Sequence, residues 1–132
     1  MIAADTNVVV RHLTHDDPAQ TALVERLFAD AEVRGEPVFL SHVVLCELCW
    51  TLASVYRMPK AAVVAALQAL LDDRAFLIQE RGQVEEALIS FRRGPADFSD
   101  YLLGVVARRA GAKTTFTFDR NVARASAFTL LK

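Results

Sequence analysis

The stretch Met1-Ile2-Ala3-Ala4-Asp5-Thr6-Asn7 decides how the rest of the chain is interpreted. It is a short apolar run that ends in a carboxylate and is followed at once by Val8-Val9-Val10-Arg11-His12-Leu13. Such a run predicts a buried strand, and Thr6 or Asn7 predicts the cap of a following helix. Asp5 is then expected at the carboxyl end of a central strand, where open α/β sheets bind ligands. The alternative is that Asp5 only caps the first helix.

The composition predicts one compact domain over residues 1–132. Apolar residues make up 53% of the chain, and 15 basic residues against 16 acidic residues leave a formal net charge of −1. This balance does not by itself indicate a nucleic-acid binder. No apolar run reaches the roughly 18 residues that a membrane span needs, and no secretion signal is visible. Cys46 and Cys49 lie inside one predicted helix and are expected to be buried, reduced thiols of a cytoplasmic protein.

Hydrophobic periodicity predicts strands that alternate with helices along the whole chain. The predicted strands are residues 1–4, 37–40, 75–78, 114–118 and 128–131. Asp17 and Ser41 suit helix N-caps, while Pro18 and Pro59 suit helix starts. Strands separated by helices predict an α/β fold with a parallel sheet and helices on both faces.

The predicted helix from Ser41 to Tyr56 is unusual because Glu47 is its only charged residue between Val43 and Val55. A helix that is apolar on nearly every side is expected to be buried. A lone buried carboxylate is costly unless a cation or hydrogen-bond donors compensate it. A metal ion is one candidate for this role, and an arginine such as Arg57 or Arg81 is the other.

Three more acids lie at the starts and ends of predicted elements. Asp97 and Asp100 open a helix and, being three residues apart, share one of its faces. Both also suit a helix N-terminus without any other function. Asp97 is either only a cap or also functional, and Asp100, which lies farther into the helix, is expected to be functional. Asp119 ends the strand Thr114–Phe118 as Asp5 ends the first strand.

If these acids converge at one edge of the sheet, their repulsion reaches ~4 kcal/mol per pair at 4 Å in a moderately polar environment. Such a cluster requires raised pKa values or a bound divalent cation. Hard oxygen ligands suit Mg²⁺ or Mn²⁺. A metal in this setting commonly serves phosphodiester hydrolysis, because it activates water and neutralises charge that develops on the phosphate.

Four motifs in this order resemble the PIN-domain ribonucleases, and more narrowly the VapC-type toxins of toxin–antitoxin pairs. The motifs are Asp5-Thr6-Asn7, Glu47 on the third helix, Ala96-Asp97-Phe98-Ser99-Asp100-Tyr101-Leu102-Leu103 and Thr117-Phe118-Asp119. The resemblance covers essentially the whole chain. It implies a PIN-like three-layer α/β/α fold with about five short, mostly parallel strands. It also implies an endoribonuclease that depends on Mg²⁺ or Mn²⁺.

The resemblance also implies roles for individual residues. Asp5, Glu47, Asp100 and Asp119 match the acidic quartet that binds metal and catalyses cleavage, and Asp97 matches an additional metal ligand. Thr6 and Thr117 match hydroxyl residues that orient these acids. The residues expected to contact the RNA backbone are Arg120, Arg11 and Arg93.

The implied partners are an RNA substrate such as tRNA or rRNA, a cognate antitoxin protein and a second copy of the chain in a homodimer, without a membrane. One alternative is a catalytically inactive PIN-like module that only binds RNA or protein. Another is a phosphoryl-transfer domain of the haloacid-dehalogenase or receiver kind. A haloacid-dehalogenase domain needs Asp-x-Asp after strand one, where this chain has Asp5-Thr6-Asn7. No glycine-rich phosphate loop is present, which argues against an enzyme driven by a nucleotide.

Overall fold

The computed structural model describes residues 1–132. Its helices are α1 (Thr6–Thr14), α2 (Pro18–Val33), α3 (His42–Ser54), α4 (Lys60–Asp72), α5 (Arg81–Arg93) and α6 (Phe98–Arg109). Its strands are β1 (Ile2–Ala3), β2 (Val38–Leu40), β3 (Phe76–Ile78), β4 (Thr115–Thr117) and β5 (Phe128–Leu130), with a 3₁₀ turn at Val122–Arg124. These elements confirm the predicted α/β class and its five strands.

The chain divides into two compact units, Met1–Gln79 and Glu80–Lys132. The first contains a three-stranded sheet and helices α1 to α4. The second contains a two-stranded sheet, helices α5 and α6 and the 3₁₀ turn. The expectation of a single domain over residues 1–132 stays a prediction.

In the first unit the strands pair in the order β1-β2-β3, and both pairings are parallel. Ile2 lies opposite Val38, which in turn lies opposite Phe76. Within the first unit the strand ahead of Asp5 pairs with β2. The expectation that Asp5 follows a central strand stays a prediction. An apolar run does not reveal which strand pairs on both sides, because both kinds bury apolar side chains.

The helix starts of the first unit follow local capping rules. Asp17 caps α2, with Pro18 at the first helical position, and Ser41 Oγ accepts a hydrogen bond from Val44 N–H at 3.2 Å. These predicted caps are confirmed. The predicted cap of α1 at Thr6 or Asn7 is wrong, because the helix begins at Thr6 and Asp5 supplies the capping side chain.

Helix α3 buries one face and exposes the other, so the prediction of a helix buried on all sides is wrong. Its buried residues are Leu45, Leu48, Cys49 and Leu52. On the opposite side Val43 and Trp50 are both 66% exposed. The helix contacts α1 and α4, which cover only part of its circumference.

The two cysteines of α3 form no disulfide. Cys49 is buried as expected, whereas Cys46 is only half-buried. The expected reduced state of both thiols agrees with this arrangement.

In the second unit α5 packs on α6, and β4 pairs with β5 in parallel. Phe91 and Phe98 join the two helices through an edge-to-face contact with ring centroids 6.0 Å apart. Gly104 of α6 allows the Phe128 ring to approach closely, since an added Cβ would lie 2.6 Å from it. Helix α6 is therefore held against β5 by a contact that tolerates no side chain.

No helix of the structure combines the length and the apolar character that crossing a membrane requires.

Candidate active site

Asp5 lies between β1 and α1 and is exposed. Its Oδ1 accepts a hydrogen bond from Val8 N–H at 3.1 Å, so the carboxylate caps α1. A single oxygen performs this duty, and Oδ2 receives no protein donor. Capping and metal binding are compatible at this residue, because a carboxylate offers about four acceptor positions.

Glu47 is exposed on α3, and it forms no ion pair. The expectation of a buried carboxylate compensated by Arg57 or Arg81 is therefore wrong, and Arg81 pairs with Glu85 at 2.7 Å. One turn away on either side of Glu47, Val43 and Trp50 are exposed as well. The only charge of this long apolar segment lies on the face that no neighbouring element covers.

Asp97 and Asp100 are tied together at the start of α6. The backbone N–H of Asp97 donates to Asp100 Oδ2 at 3.2 Å, which is half of a capping box. Asp100 is half-buried, while Asp97 is exposed. Asp100 thus supports the start of the helix in addition to any function. Asp97 is the N-cap residue of α6, and whether it is only a cap stays open.

The second unit brings Asp97, Asp100 and Asp119 close enough for their charges to act on one another. Burial raises the pKa of the Asp100 carboxyl, and repulsion from Asp97 and Asp119 raises it further. The hydrogen bond from Asp97 N–H opposes this rise but does not cancel it. Each added negative charge makes ionisation of Asp100 harder, so a bound cation at this place would be favoured.

Asp119 follows β4, and its carboxylate accepts hydrogen bonds from backbone N–H groups, as that of Asp5 does. Its Oδ1 accepts hydrogen bonds from Asn121 N–H at 2.8 Å and Val122 N–H at 3.2 Å, which starts the 3₁₀ turn. Its own N–H donates to Thr117 Oγ1 at 3.0 Å. Thr117 therefore fixes the backbone at Asp119, whereas Thr6 is simply the first residue of α1 beside Asp5.

The five acids are divided between the units, with Asp5 and Glu47 in the first and Asp97, Asp100 and Asp119 in the second. Their donor atoms are all carboxylate oxygens, the ligands that Mg²⁺ and Mn²⁺ prefer. The raised pKa of Asp100, which comes first from burial and then from the nearby Asp97 and Asp119, also fits a cation. In the side-chain positions described, no group of three or more His, Cys, Asp or Glu residues is arranged to hold a metal ion.

The three arginines expected to contact RNA have different surroundings. Arg120 is exposed next to Asp119, and Arg93 is exposed at the end of α5. Arg11 instead donates to Gln20, Asp16 and Tyr56 within the first unit. Arg11 is thus already used to hold α1, and an RNA contact would require it to leave these partners.

The network around Arg11 was not predicted. Tyr56 Oη donates to Asp16 Oδ2 at 2.6 Å, and this hydrogen bond holds the pKa of Asp16 below its usual value. The same tyrosine raises the pKa of Arg11. Tyr56 lies far along the chain from Asp16, and no local pattern connects the two.

A cavity of about 630 Å³ in the first unit was also not predicted. Its wall includes His12, whose Nδ1 lies 2.9 Å from Glu25 Oε1. The His12 ring makes edge-on contacts with Phe28 and Phe76. His12 is therefore part of an aromatic cluster.

Comparison with known proteins gives this arrangement a family context. The family model of the PIN domain matches residues 2–127. The chain is also 24% identical, over 116 residues, to a VapC ribonuclease of Aquifex aeolicus (strain VF5), a match that covers 88% of this chain and 85% of that protein. Six helices with parallel-paired strands agree with the α/β/α fold expected of this family. The chain therefore belongs to the PIN-domain family.

Proposed function

We propose that this protein is a metal-dependent endoribonuclease and the toxin of a toxin–antitoxin pair. Membership of the PIN-domain family supports nuclease chemistry, and the similarity to a VapC ribonuclease supports RNA as the substrate. The observation that carries the proposal is the half-buried Asp100 carboxyl at the start of α6, whose pKa is raised by burial and by the nearby Asp97 and Asp119. Such crowding costs stability in the free protein, and a site for a divalent cation accounts for it.

In this proposal Asp5, Glu47, Asp100 and Asp119 hold the metal, with Asp97 as an additional ligand. A bound Mg²⁺ or Mn²⁺ would activate water and neutralise charge developing on the scissile phosphate. The hydrogen bonds that Asp5 and Asp119 accept from backbone N–H groups limit the positions that their carboxylates can take. Thr117 contributes by holding the backbone at Asp119.

Asp100 gives the site a pH dependence. Because burial raises its pKa, a larger fraction of Asp100 is protonated in mildly acidic solution than for an exposed aspartate. A metal requires the deprotonated carboxylate. The affinity for Mg²⁺ therefore falls as the pH falls through the raised pKa of Asp100.

The proposed partners are tRNA or rRNA as substrate, an antitoxin protein and a second copy of the chain, in the cytoplasm. Apolar side chains exposed on α2 and α3 offer contact surface for a protein partner. They include Leu23, Val33, Val43 and Trp50.

The test is RNA cleavage by the purified chain in Mg²⁺, Mn²⁺ or chelator, followed by sequencing of the RNA ends. We expect cleavage in either metal and none in chelator, with ends that identify the substrate and position. A preparation that binds RNA in Mg²⁺ and Mn²⁺ but never cuts it would indicate an inactive binding module instead.

A further inference from the structure

The second unit contains a cavity of about 300 Å³ between α5, α6 and the residues that lead into β5. Its wall carries three arginines and three hydroxyl groups. They are Arg93, Arg108, Arg124, Ser90, Tyr101 and Ser126. A cavity lined in this way offers many hydrogen-bond donors and an excess of positive charge.

Glu86 is the only acid in the cavity wall. It forms ion pairs with Arg108 and with Arg109, the second of them at 3.0 Å. These arginines hold the pKa of Glu86 below its usual value. Arg93 and Arg124 form no ion pair, so two guanidinium groups of the wall have no anionic partner in the protein.

Tyr101 supplies a hydroxyl at the same wall. Its Oη accepts a hydrogen bond from Ala96 N–H at 3.2 Å, which leaves the hydroxyl proton available for donation. The hydroxyl reaches this position because Gly94 has no side chain, since an added Cβ would overlap it. The cavity is thus shaped by glycine and offers a fixed donor.

The cavity adjoins the turn that carries two of the candidate acids. Tyr101 directly follows Asp100, and Ala96 directly precedes Asp97. Along α6, Arg108 lies eight residues beyond Asp100, which corresponds to roughly 12 Å along the helix axis. A single strand of nucleic acid that runs from the start of α6 towards its end therefore passes the cavity within a few nucleotides.

We propose that this cavity binds a backbone phosphate of the RNA strand, a few nucleotides away from the bond that is cut. Arginine suits this ligand because its planar guanidinium donates two parallel hydrogen bonds to phosphate. The inference rests on the proposed ribonuclease function for the identity of the strand. It assigns Arg93 and Arg124 to binding, and neither to catalysis.

The test measures binding of a fluorescently labelled single-stranded RNA by anisotropy, in chelator so that no cleavage occurs. The double variant Arg93→Gln/Arg124→Gln should bind more weakly at low salt. Each phosphate contact on a single strand contributes about 0.7 to the slope of log affinity against log salt. If one contact is lost, the slope falls by about 0.7, and if two are lost it falls by about 1.4.

The matched control is Arg26→Gln/Arg34→Gln, which removes the same charge from exposed positions on and just after α2. It should keep the wild-type slope. Glu86→Gln gives a change in the opposite direction, because it releases Arg108 and Arg109 from their carboxylate. RNA should then bind several-fold more tightly. Thermal melting of each variant confirms that it is folded.

Equal affinity and slope for the cavity double variant and the control would overturn the proposal, as would weaker binding by Glu86→Gln. Inorganic phosphate serves as a competitor, and displacement of RNA by millimolar phosphate from wild type but not from the double variant supports the assignment. The result is separable from the proposed function. If wild type binds RNA with the expected salt dependence but never cuts it, only the proposed cleavage is contradicted. If the enzyme cuts RNA but the double variant keeps the wild-type salt slope, only the assignment of the cavity is contradicted.

Discussion

The two compact units use their acidic residues differently. In the first unit Asp5 caps α1 and Glu47 is exposed without an ion pair. In the second unit Asp100 is half-buried, and its pKa is raised by burial and by two neighbouring aspartates. The comparison teaches that Asp100 carries the cost of a half-buried carboxylate near other acids, whereas Asp5 and Glu47 are exposed to solvent. Substitutions in the two units should therefore differ in their effect on stability even where they agree in their effect on activity.

The largest expected effect concerns Asp100 and Asp97. Asp100→Asn should lower RNA cleavage at least about 100-fold, since removal of even a supporting residue of a metal site costs 10- to 100-fold. Asp97→Asn should keep a substantial fraction of the activity, because asparagine still caps α6. Cleavage rates of both variants across a Mg²⁺ titration distinguish them. An active Asp100→Asn beside an inactive Asp97→Asn would move the metal-binding role to Asp97.

The packing of the second unit is tested at Gly104. Gly104→Ala should destabilise the protein by about 1–3 kcal/mol, because its Cβ would overlap the Phe128 ring and force it to shift. Gly82→Ala is the matched control, since its Cβ would meet only the Arg109 side chain at 3.6 Å and alanine favours a helix. Urea unfolding of the two variants measures the difference. Equal midpoints would show that α6 and β5 have room between them.

Asp100 should also affect stability in a pH-dependent manner. Its folded-state pKa lies above the unfolded value of about 3.9, so ionisation in the native state destabilises the fold progressively as the pH rises through that interval. Asp100→Asn removes this penalty and retains an oxygen that accepts from Asp97 N–H. In chelator the variant should be more stable at pH 7, by less than about 1 kcal/mol because the group is partly exposed. Melting at pH 3 and pH 7 shows whether the gain disappears in acid, and a variant less stable than wild type at pH 7 would contradict the raised pKa.

Glu47 should show the smallest effect on stability. Because its side chain is exposed, Glu47→Gln should change the free energy of unfolding by no more than about 0.5 kcal/mol in chelator. In Mg²⁺ the variant should melt below wild type, since a ligand is lost and binding stabilises only the folded state. Melting curves with and without metal test both parts. A large gain in chelator would show that Glu47 is repelled by other acids after all.

Most of the fold could be predicted because local rules determine it. The capping residues Asp17 and Ser41 and the helix-opening Pro18 need only their own neighbours, and short apolar strands between helices pair in parallel. The burial of α3 could not be predicted in the same way. It depends on how many neighbours pack around the helix, which its composition does not record.

The site shows the same division between local and tertiary information. The strand-end positions of Asp5 and Asp119 follow from the pattern of apolar residues, and so does the cap that Asp5 provides for α1. The hydrogen bonds that Asp119 accepts from Asn121 and Val122 emerge only from the structure. The pKa shift of Asp100 depends on Asp119, which lies in another element. The cavity beside Tyr101 depends on the approach of three separate segments. Neither the pKa shift of Asp100 nor this cavity leaves a local signal in the sequence.

The most direct test of the account is the rate of RNA cleavage by purified Asp5→Asn in Mg²⁺. Asparagine retains an oxygen that can accept the hydrogen bond from Val8 N–H, so the cap of α1 and the fold should persist. What is lost is the negative charge that the proposed metal site requires. We predict wild-type melting in chelator together with cleavage at the background rate. Cleavage at the wild-type rate by the folded variant would contradict the assignment of Asp5 and, with it, the proposed acidic metal site.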